Sequence, residues 1–422
     1  MPRMIRPGTA VAVIVLSQWL GTSLWFSPSG AADGLMLRLQ LGPAAFGVLL
    51  AATQLGFIAG TLAFAASGAA DRHPASRIFA WSCVAGALVN AAVALPAVGF
   101  AEACVLRFAV GLCLAGIYPL GMKMIVQWVG GKPAAALGWL IGMLTLGTAM
   151  PHGLRAAGAE WPWQAVLLAS SALAVLGGAA VAWLGEGGHV RAGGKPTPVP
   201  GTPGRVTDPP AAAAPRAGLW GVARRVFAVQ GFRASAFGYF GHMWELYAFW
   251  GVLPWLCAPI SAALAQRQGA AAPSVALLSF AVIGVGALGC ILGGQWARRI
   301  GSARVAALAL AGSGAMCLAY PLLPATAPLW QLAALGFWGV CVVADSPQFS
   351  AISAQQCPPE VLASGLLVQN GIGFFITVVS ILVMSHALPA WGAPALWLLA
   401  PGPVLGLIGM RALLRPPAPS GS

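Results

Sequence analysis

The stretch VLASGLLVQNGIGFFITVVSILVMSHALPAWGAPALWLLAPGPVLGLIGM, residues 361–410, contains no Asp, Glu, Lys or Arg. Residues 305–344 and 268–297 are equally free of these four residue types. A helix needs about 20 consecutive apolar residues to cross the hydrocarbon core of a bilayer, so uncharged stretches of this length predict membrane-spanning helices. The sequence therefore indicates an all-α polytopic membrane protein.

The composition of the whole chain supports this fold class. Of its 422 residues, 59% are hydrophobic and 7% are charged, whereas a typical soluble domain carries about 25% charged residues. A soluble enzyme, a disordered chain, a secreted disulfide scaffold and a nucleic-acid-binding domain are excluded on this ground. The eight cysteines lie mostly inside apolar stretches without CxxC pairing, so we expect neither a disulfide nor a metal site.

Charges and Pro/Gly clusters divide the chain into twelve predicted spans. These are residues 9–31, 43–66, 78–99, 102–127, 133–154 and 162–184, followed by 233–258, 274–297, 304–323, 328–353, 361–386 and 393–413. The first span follows Arg3 and Arg6 and resembles a signal peptide. Its apolar run is longer than a typical signal-peptide core, and eleven further spans follow, so we expect it to be retained.

The basic residues are distributed unequally between the two sides of the predicted membrane. When the loops are assigned alternately, 18 Lys and Arg residues fall on the side of the N-terminus and three on the other, with Arg107 left inside a span. Basic loops are typically cytoplasmic, so we expect both termini in the cytoplasm and the protein in the inner membrane. The net charge of +13 is thus a sign of topology, and no nucleic-acid partner is expected.

The twelve spans form two groups of six. Residues 186–228 are rich in Pro, Gly and Ala and predict a flexible cytoplasmic linker between a bundle at 1–185 and a second at 229–422. The loops SGAADRHPASR (67–77) and GQWARRIGSAR (294–304) hold corresponding positions in the two groups. Such internal duplication is typical of transporters that rock two bundles about a central site.

These features resemble the major facilitator superfamily of secondary transporters over essentially the whole chain. The family's loop pattern, roughly G-x-x-x-D-R-x-G-R-R/K, is matched in part: Ser67 and Pro74 replace its glycines, and Arg298 stands in the second copy where the Asp would be. The resemblance implies gating loops that contain Asp71, Arg72 and Arg77 in the first copy and Arg298, Arg299 and Arg304 in the second.

Two further patterns resemble the same family. Arg107 and Gly111 match its R-x-x-x-G pattern in the fourth span. The fifth span carries part of the exporters' glycine-proline motif, but Met150 precedes the proline, so the Gly-Pro pair is missing; the matching residues are Gly138, Gly142, Gly147 and Pro151. The polar residues of spans seven and ten loosely resemble small-anion porters of the nitrate and cyanate type.

The seventh span, GYFGHMWELYAFWGVLPW, holds the strongest candidates for proton coupling. Glu245 is twelve residues past Arg233, about 18 Å along a helix, near the middle of the membrane. His242 lies three residues earlier, so both share a face with Tyr239 and Phe249. Ionisable groups at this depth are costly unless they function or are paired. Proton exchange is one interpretation, and simple hydrogen bonding to neighbouring helices is the other.

Arg107 has several possible roles. If its span begins near Glu102, it faces inward with Gly111 and Tyr118, and its guanidinium offers two parallel hydrogen bonds to an anionic substrate. By resemblance to the family, it takes part in proton coupling instead. A structural ion pair, and a position at the outer headgroups reached by its long side chain, are the alternatives.

Span ten reads VVADSPQFSAISAQQ. Asp345 lies about 26 Å from Pro328 along a helix, and Pro347 should interrupt that helix. One interpretation is that freed carbonyls beside Asp345 bind a proton or cation in a cavity. The other is a cytoplasmic gate in which Asp345 pairs with an Arg across the two halves.

The first span presents a polar and aromatic stripe at Gln18, Thr22, Trp25 and Ser29. First and seventh spans line the central cavity in the resembled family, so this stripe and Tyr239 are substrate-binding candidates, with helix packing as the alternative for the stripe. Weaker candidates for substrate contact are the side-chain amides of Gln54, Asn90, Gln369 and Asn370.

These residues together predict a proton-coupled secondary transporter that moves a small polar solute by alternating access. A small anion is the favoured class of solute. The expected partners are the solute, protons and lipid, with the chain acting as a monomer. No phosphate-binding G-x-x-x-x-G-K-S/T pattern occurs, and we expect no cofactor, metal or enzymatic activity. Proton-antiport efflux of a drug or metabolite, and a receptor that does not transport, are the alternative functions.

Overall fold

The computed structural model describes residues 6–129, 134–186, 219–268 and 271–414, and all regular elements in these ranges are helices. The first half contains Pro7–Thr22 (α1), Ser27–Gly30 (α2), Ala32–Leu39 (α3), Pro43–Ser67 (α4), Ala69–Arg72 (α5), Ala75–Ala92 (α6), Phe100–Leu114 (α7), Tyr118–Val129 (α8), Ala134–Ala157 (α9) and Trp163–Leu184 (α10). The second half contains Leu219–Ala228 (α11), Gln230–Gln268 (α12), Val275–Ile300 (α13), Ser302–Ala319 (α14), Pro328–Ala344 (α15), Ser346–Gln356 (α16), Leu362–Trp391 (α17) and Pro401–Met410 (α18). Short 3₁₀ helices cover Tyr320–Leu322, Pro359–Val361, Ala393–Leu399 and Arg411–Leu414.

Ten helices in the described ranges are long and apolar enough to cross a membrane. They run over Pro43–Ser67, Ala75–Ala92, Phe100–Val129, Trp163–Leu184, Gln230–Arg267, Val275–Ile300, Ser302–Leu322, Pro328–Gln356, Ser364–Trp391 and Ala393–Leu414. The all-α membrane fold is confirmed. The two remaining predicted spans coincide with the shorter apolar helix α1 and with α9, and the total of twelve and the orientation stay predictions.

Three predicted spans are interrupted near their middle. The first breaks between α1 and α2, the fourth between Leu114 and Tyr118, and the tenth at Asp345. The break at Asp345 was predicted from Pro347. In the structure Pro347 occupies the first turn of α16, where proline is tolerated, and it prevents α15 from continuing through this point. Polar backbone groups are thereby released inside the protein, which is possible only where other groups satisfy them.

The linker prediction differs from the structure at its end. Residues 187–218 lie outside the described residues, but Leu219–Ala228 form helix α11. Val222 and Val226 are buried at i and i+4, while Arg224 and Arg225 are exposed. This amphipathic pattern stabilises a helix by burying one face: Val222 and Val226 form a small core with Phe232, Ala236 and Cys357.

Small residues bring the helices close together. A Cβ on Gly56 would lie 1.9 Å from the carbonyl oxygen of Phe108, and one on Gly111 would lie 2.1 Å from that of Thr53. The backbones of α4 and α7 are therefore in direct contact. Close approach of this kind is how membrane helices gain packing energy in the absence of a hydrophobic driving force between them.

The two predicted halves meet along two helix pairs. The pair α9 and α13 is one, and α4 and α17 is the other. A Cβ on Gly47 of α4 would lie 2.2 Å from Ser385 Oγ of α17, and the rings of Phe57 and Phe374 are 4.4 Å apart. Between these pairs Trp25 packs on Phe57, Tyr247 and Phe374, so aromatic side chains from both halves fill the centre.

Candidate functional site

Glu245 is fully buried within the second half. It points from α12 to α14 and α15, where its Oε2 accepts a 2.8 Å hydrogen bond from Ser313 Oγ. Its Oε1 accepts from Trp338 Nε1 at 2.5 Å and from Cys317 Sγ at 3.4 Å. A carboxylate offers only acceptors, so three donors match its ionised form. The indole of Trp338 stacks on Phe249 with ring centroids 4.5 Å apart.

His242 and Asp345 form a buried pair one turn away. His242 Nδ1 lies 2.8 Å from Asp345 Oδ1, and each side chain is 1% exposed. The contact is an ion pair when the imidazole is protonated. Within the described residues, neither ring nitrogen of His242 and neither carboxyl oxygen of Asp345 has a hydrogen-bond partner. His242 Nε2 and Asp345 Oδ2, which take no part in the 2.8 Å contact, are open to a further ligand or proton.

The partner of Asp345 differs from the one that the gate interpretation expected. That interpretation paired Asp345 with an Arg of the opposite half, but its partner in this structure is His242 of the same half. The carbonyl that Pro347 frees is that of Val343, four residues earlier, and Cys290 Sγ donates to it at 3.5 Å. Binding of a proton or cation beside Asp345 stays a prediction.

Arg107 lies fully buried in the first half and donates from all three of its nitrogens. Its Nε donates to Thr53 Oγ1 at 3.1 Å, and its Nη1 donates to Asn90 Oδ1 at 2.8 Å and to Ser27 Oγ at 3.3 Å. Its Nη2 donates to the backbone oxygens of Leu24 at 3.0 Å and Trp25 at 2.7 Å. These are the carbonyls that the break after α1 releases.

This geometry narrows the roles open to Arg107. A guanidinium has five N–H donors, and all five are directed at protein acceptors, so no fork remains for an anionic substrate in this conformation. Its full burial contradicts a position at the headgroups, and since none of its five acceptors is a carboxylate, the ion-pair interpretation is wrong too. Proton coupling through Arg107 stays a prediction. In this structure Arg107 stabilises the interruption between α1 and α2 in the first span.

The stripe on the first span is not continuous. Its spacing assumed one helix, but α1 ends at Thr22 because Arg107 binds the carbonyls beyond it. Thr22 donates to the backbone oxygen of Gln18 at 2.7 Å and lies against Gly147, so it serves helix packing. Trp25 donates to Gln54 at 3.1 Å. Gln18 and Ser29 are buried with unpartnered polar atoms among the described residues.

The other substrate candidates are only partly brought together. Tyr239 lies beside His242, with ring centroids 6.2 Å apart, and packs on Gly373. Gln369 is 2% exposed and its Oε1 has no partner in the described ranges. Asn370 and Tyr118 are half-buried. Gln18, Gln369 and Tyr239 thus remain the candidates whose polar groups could meet a solute.

The predicted gating loops lie at the surface. Arg72, Arg77, Arg298, Arg299 and Arg304 are exposed, and Arg72 donates to the backbone oxygen of Ser67. The side chain of Asp71 lies outside the described residues. The role of these residues in gating stays a prediction.

Several residues of the two networks had no sequence signal. Ser313, Cys317 and Trp338 lie on helices remote in sequence from Glu245, and each is of a type common in membrane spans. Asn90 was a weak candidate for substrate contact, but its amide donates to Leu167 O and Ser171 Oγ, both at 3.0 Å. In the described ranges, no three His, Cys, Asp or Glu side chains are grouped so as to hold a metal.

The helical fold and these buried networks define a polytopic membrane protein with charged groups at its centre. The model of the Major Facilitator Superfamily matches residues 11–381. The chain therefore belongs to this superfamily, whose members are secondary transporters. None of the curated proteins compared with the chain matches it.

Proposed function

We propose that the chain is a proton-coupled secondary transporter of a small polar solute, with a small anion as the favoured substrate class. The observation that carries the proposal is the pair of His242 and Asp345 beside the three-donor site of Glu245. Two carboxyl groups and an imidazole at the centre of a membrane protein are costly to retain. A group that takes up and releases protons supplies a reason for that cost.

In this proposal, proton binding at Glu245 and at Asp345 affects different helix contacts. Glu245 accepts from three donors on α14 and α15, so proton binding there loosens α12 from those helices. Asp345 is in contact with His242, and a proton on Asp345 removes the ion pair at the break between α15 and α16. Each proton is thereby linked to a helix contact, which is how a binding event shifts a conformational equilibrium.

The substrate class follows from the polar groups that lack a partner. Gln18 and Gln369 each carry buried amide atoms without a hydrogen bond among the described residues. Arg107 contacts only uncharged acceptors, so its positive charge is not neutralised by contact and favours an anion nearby. Direct contact with the solute is assigned to the amides and to Tyr239, and the Arg107 charge acts at a distance.

The test is internal pH in proteoliposomes that contain the purified full chain and a pH-sensitive dye. A panel of small anions and cations is added outside, and Glu245→Gln and Asp345→Asn are compared with the native chain. We expect one or more anions to acidify the interior, and both variants to lose this response. The matched control is Glu360→Gln, because Glu360 is an exposed glutamate of the same half.

Three results would contradict parts of the proposal. Acidification that persists in both variants would remove these carboxyl groups from proton coupling. Alkalinisation driven by added cations would replace symport with proton-antiport efflux. Binding of a solute without any proton or solute flux would favour a receptor.

The localisation belongs to the same proposal. The excess of basic residues in alternate loops supports an inner-membrane protein with both termini in the cytoplasm. Labelling of single introduced cysteines near Arg6 and near Leu414 with an impermeant reagent tests this orientation: both positions should react only after the membrane is opened.

A further inference from the structure

A cavity lies away from the buried charges, at the end of the bundle where α4 begins and α17 ends. Its volume is about 320 Å³, which is the lower range of pockets that hold small molecules. The orientation predicted from the basic loops places this end outside the cell, and we call it the predicted outer end.

The cavity is lined almost entirely by apolar groups. No charged side chain is among the residues that line it, which include Phe46, Leu50, Trp255 and Met384. Tyr320 and Gln331 add a hydroxyl and an amide. A charged ligand would lose its hydration here without gaining a partner, whereas an apolar ligand with one hydrogen-bonding group would gain from burial.

The walls come from both predicted halves. Pro43, Phe46, Gly47 and Leu50 belong to α4, and the facing residues belong to α12, α15 and α17 and to the 3₁₀ helices at Tyr320–Leu322 and Ala393–Leu399. Gly47 and Ser385, which form the close contact between α4 and α17, are both part of the lining. The shape of the cavity therefore depends on this contact.

We propose that this cavity binds a neutral, mainly apolar small molecule with one hydrogen-bonding group, and that the bound molecule holds α4 against α17. A ligand stabilises the arrangement to which it binds best, and separation of α4 from α17 removes one wall of this site. The ligand therefore retains the transporter with its predicted outer end closed. This inference does not depend on the proposed proton coupling, because the cavity contains none of the buried charges.

The test uses the full chain in detergent and 2-naphthol, a neutral fused-ring compound with a single hydroxyl. A photoreactive diazirine derivative of 2-naphthol is cross-linked to the protein, and the labelled peptides are identified by mass spectrometry. We expect labels within residues 43–50, 248–259 and 381–393, and we expect excess unlabelled 2-naphthol to remove them. The midpoint of thermal unfolding should rise with 2-naphthol.

Gly251 offers a matched pair of variants. A Cβ at Gly251 would meet only Leu50 Cδ1, at 3.5 Å, so Gly251→Ala should fold and retain the labelling. Gly251→Phe fills the cavity and should lose both the competable labelling and the thermal shift. If Gly251→Phe does not fold, the labelled positions in the native chain still decide the question.

Labels spread over exposed apolar residues such as Leu176 and Leu288, without competition, would overturn the proposal. So would a thermal shift of equal size in a folded Gly251→Phe. Because neither measurement requires transport, failure here is distinct from failure of the proposed proton coupling.

Discussion

The Nδ1 atom of His242 lies 2.8 Å from the Oδ1 atom of Asp345, and this contact ties α12 to the break between α15 and α16. Both side chains are buried, so neither has water as an alternative partner. Loss of one member leaves the other as a buried polar group with too few hydrogen bonds, which is the costly case for a buried pair.

We expect His242→Ala to lower the free energy of unfolding by about 3–5 kcal/mol, the range for breaking a buried ion pair. The double variant His242→Ala with Asp345→Ala should lose less than the sum of the two single changes, since no charge then remains unpaired. Thermal unfolding in detergent measures all three. His386→Ala is the control, because His386 is exposed and should change little.

The five hydrogen bonds of Arg107 give a second prediction. Lys has three donors and no planar fork, so Arg107→Lys leaves acceptors of the broken first span unsatisfied. We expect stability to fall by at least about 3 kcal/mol, given about 1.5–3 kcal/mol for each hydrogen bond to a charged group. Arg304→Lys, at an exposed arginine, should be nearly neutral. Equal stability of the two variants would contradict the role assigned to Arg107.

The indole of Trp338 gives a third prediction. Trp338→Phe keeps a ring to stack on Phe249 but removes the donor to Glu245. We expect a loss of about 1.5–3 kcal/mol, and a smaller loss when the same change is made in Glu245→Gln. A double-mutant cycle measures this coupling; a coupling of zero would mean that the 2.5 Å contact contributes nothing.

The close contact of α4 and α17 gives a fourth prediction. In Gly47→Ala the new methyl group meets Ser385, and overpacking of this kind costs about 1–3 kcal/mol. Ser385→Gly removes the obstructing side chain, so the double variant should recover most of the loss in thermal stability. Gly371→Ala in α17 is the control, since a Cβ there meets nothing within 4 Å. A double variant no better than Gly47→Ala would disprove the contact.

Helix α11 gives a fifth prediction, measured by limited trypsin digestion. Val226 is fully buried and packs on Gly365 of α17, so Val226→Asp should release α11 and speed cleavage at Arg224 and Arg225. Trp220→Ser changes an exposed residue of the same helix and should leave the cleavage rate unchanged. Equal rates in the two variants would show that α11 is not held by its apolar face.

The sequence predicted the helices better than their interruptions. Long uncharged stretches place the spans because the bilayer requires a minimum apolar length, and Pro347 placed the break at Asp345 because proline ends a helix locally. The break after Thr22 was not predicted, although Pro28 stands in the first turn of α2 and has no N–H for the carbonyl of Leu24. It is satisfied by Arg107, which belongs to another span, and a pairing of that kind is not encoded in the neighbouring residues.

The sequence predicted which charged residues belong to the buried site, but it did not predict which residues they contact. His242, Glu245 and Asp345 stood out because charge is rare in a membrane span. Helical spacing placed His242 and Glu245 on one face, but it could not show that His242 faces Asp345 while Glu245 faces Ser313 and Trp338. Those partners depend on how α14 and α15 are rotated against α12, and rotation follows from packing across the whole bundle.

The way Arg107 is held has an electrical consequence. Its guanidinium keeps its proton, and its five donors rest on uncharged oxygens, so the first half carries a permanent unit charge inside the membrane. An elementary charge that crosses a membrane voltage of 100 mV exchanges about 2.3 kcal/mol with the field. Any motion that displaces Arg107 along the membrane normal therefore makes the conformational cycle voltage-sensitive, in proportion to the fraction of the field that the arginine crosses.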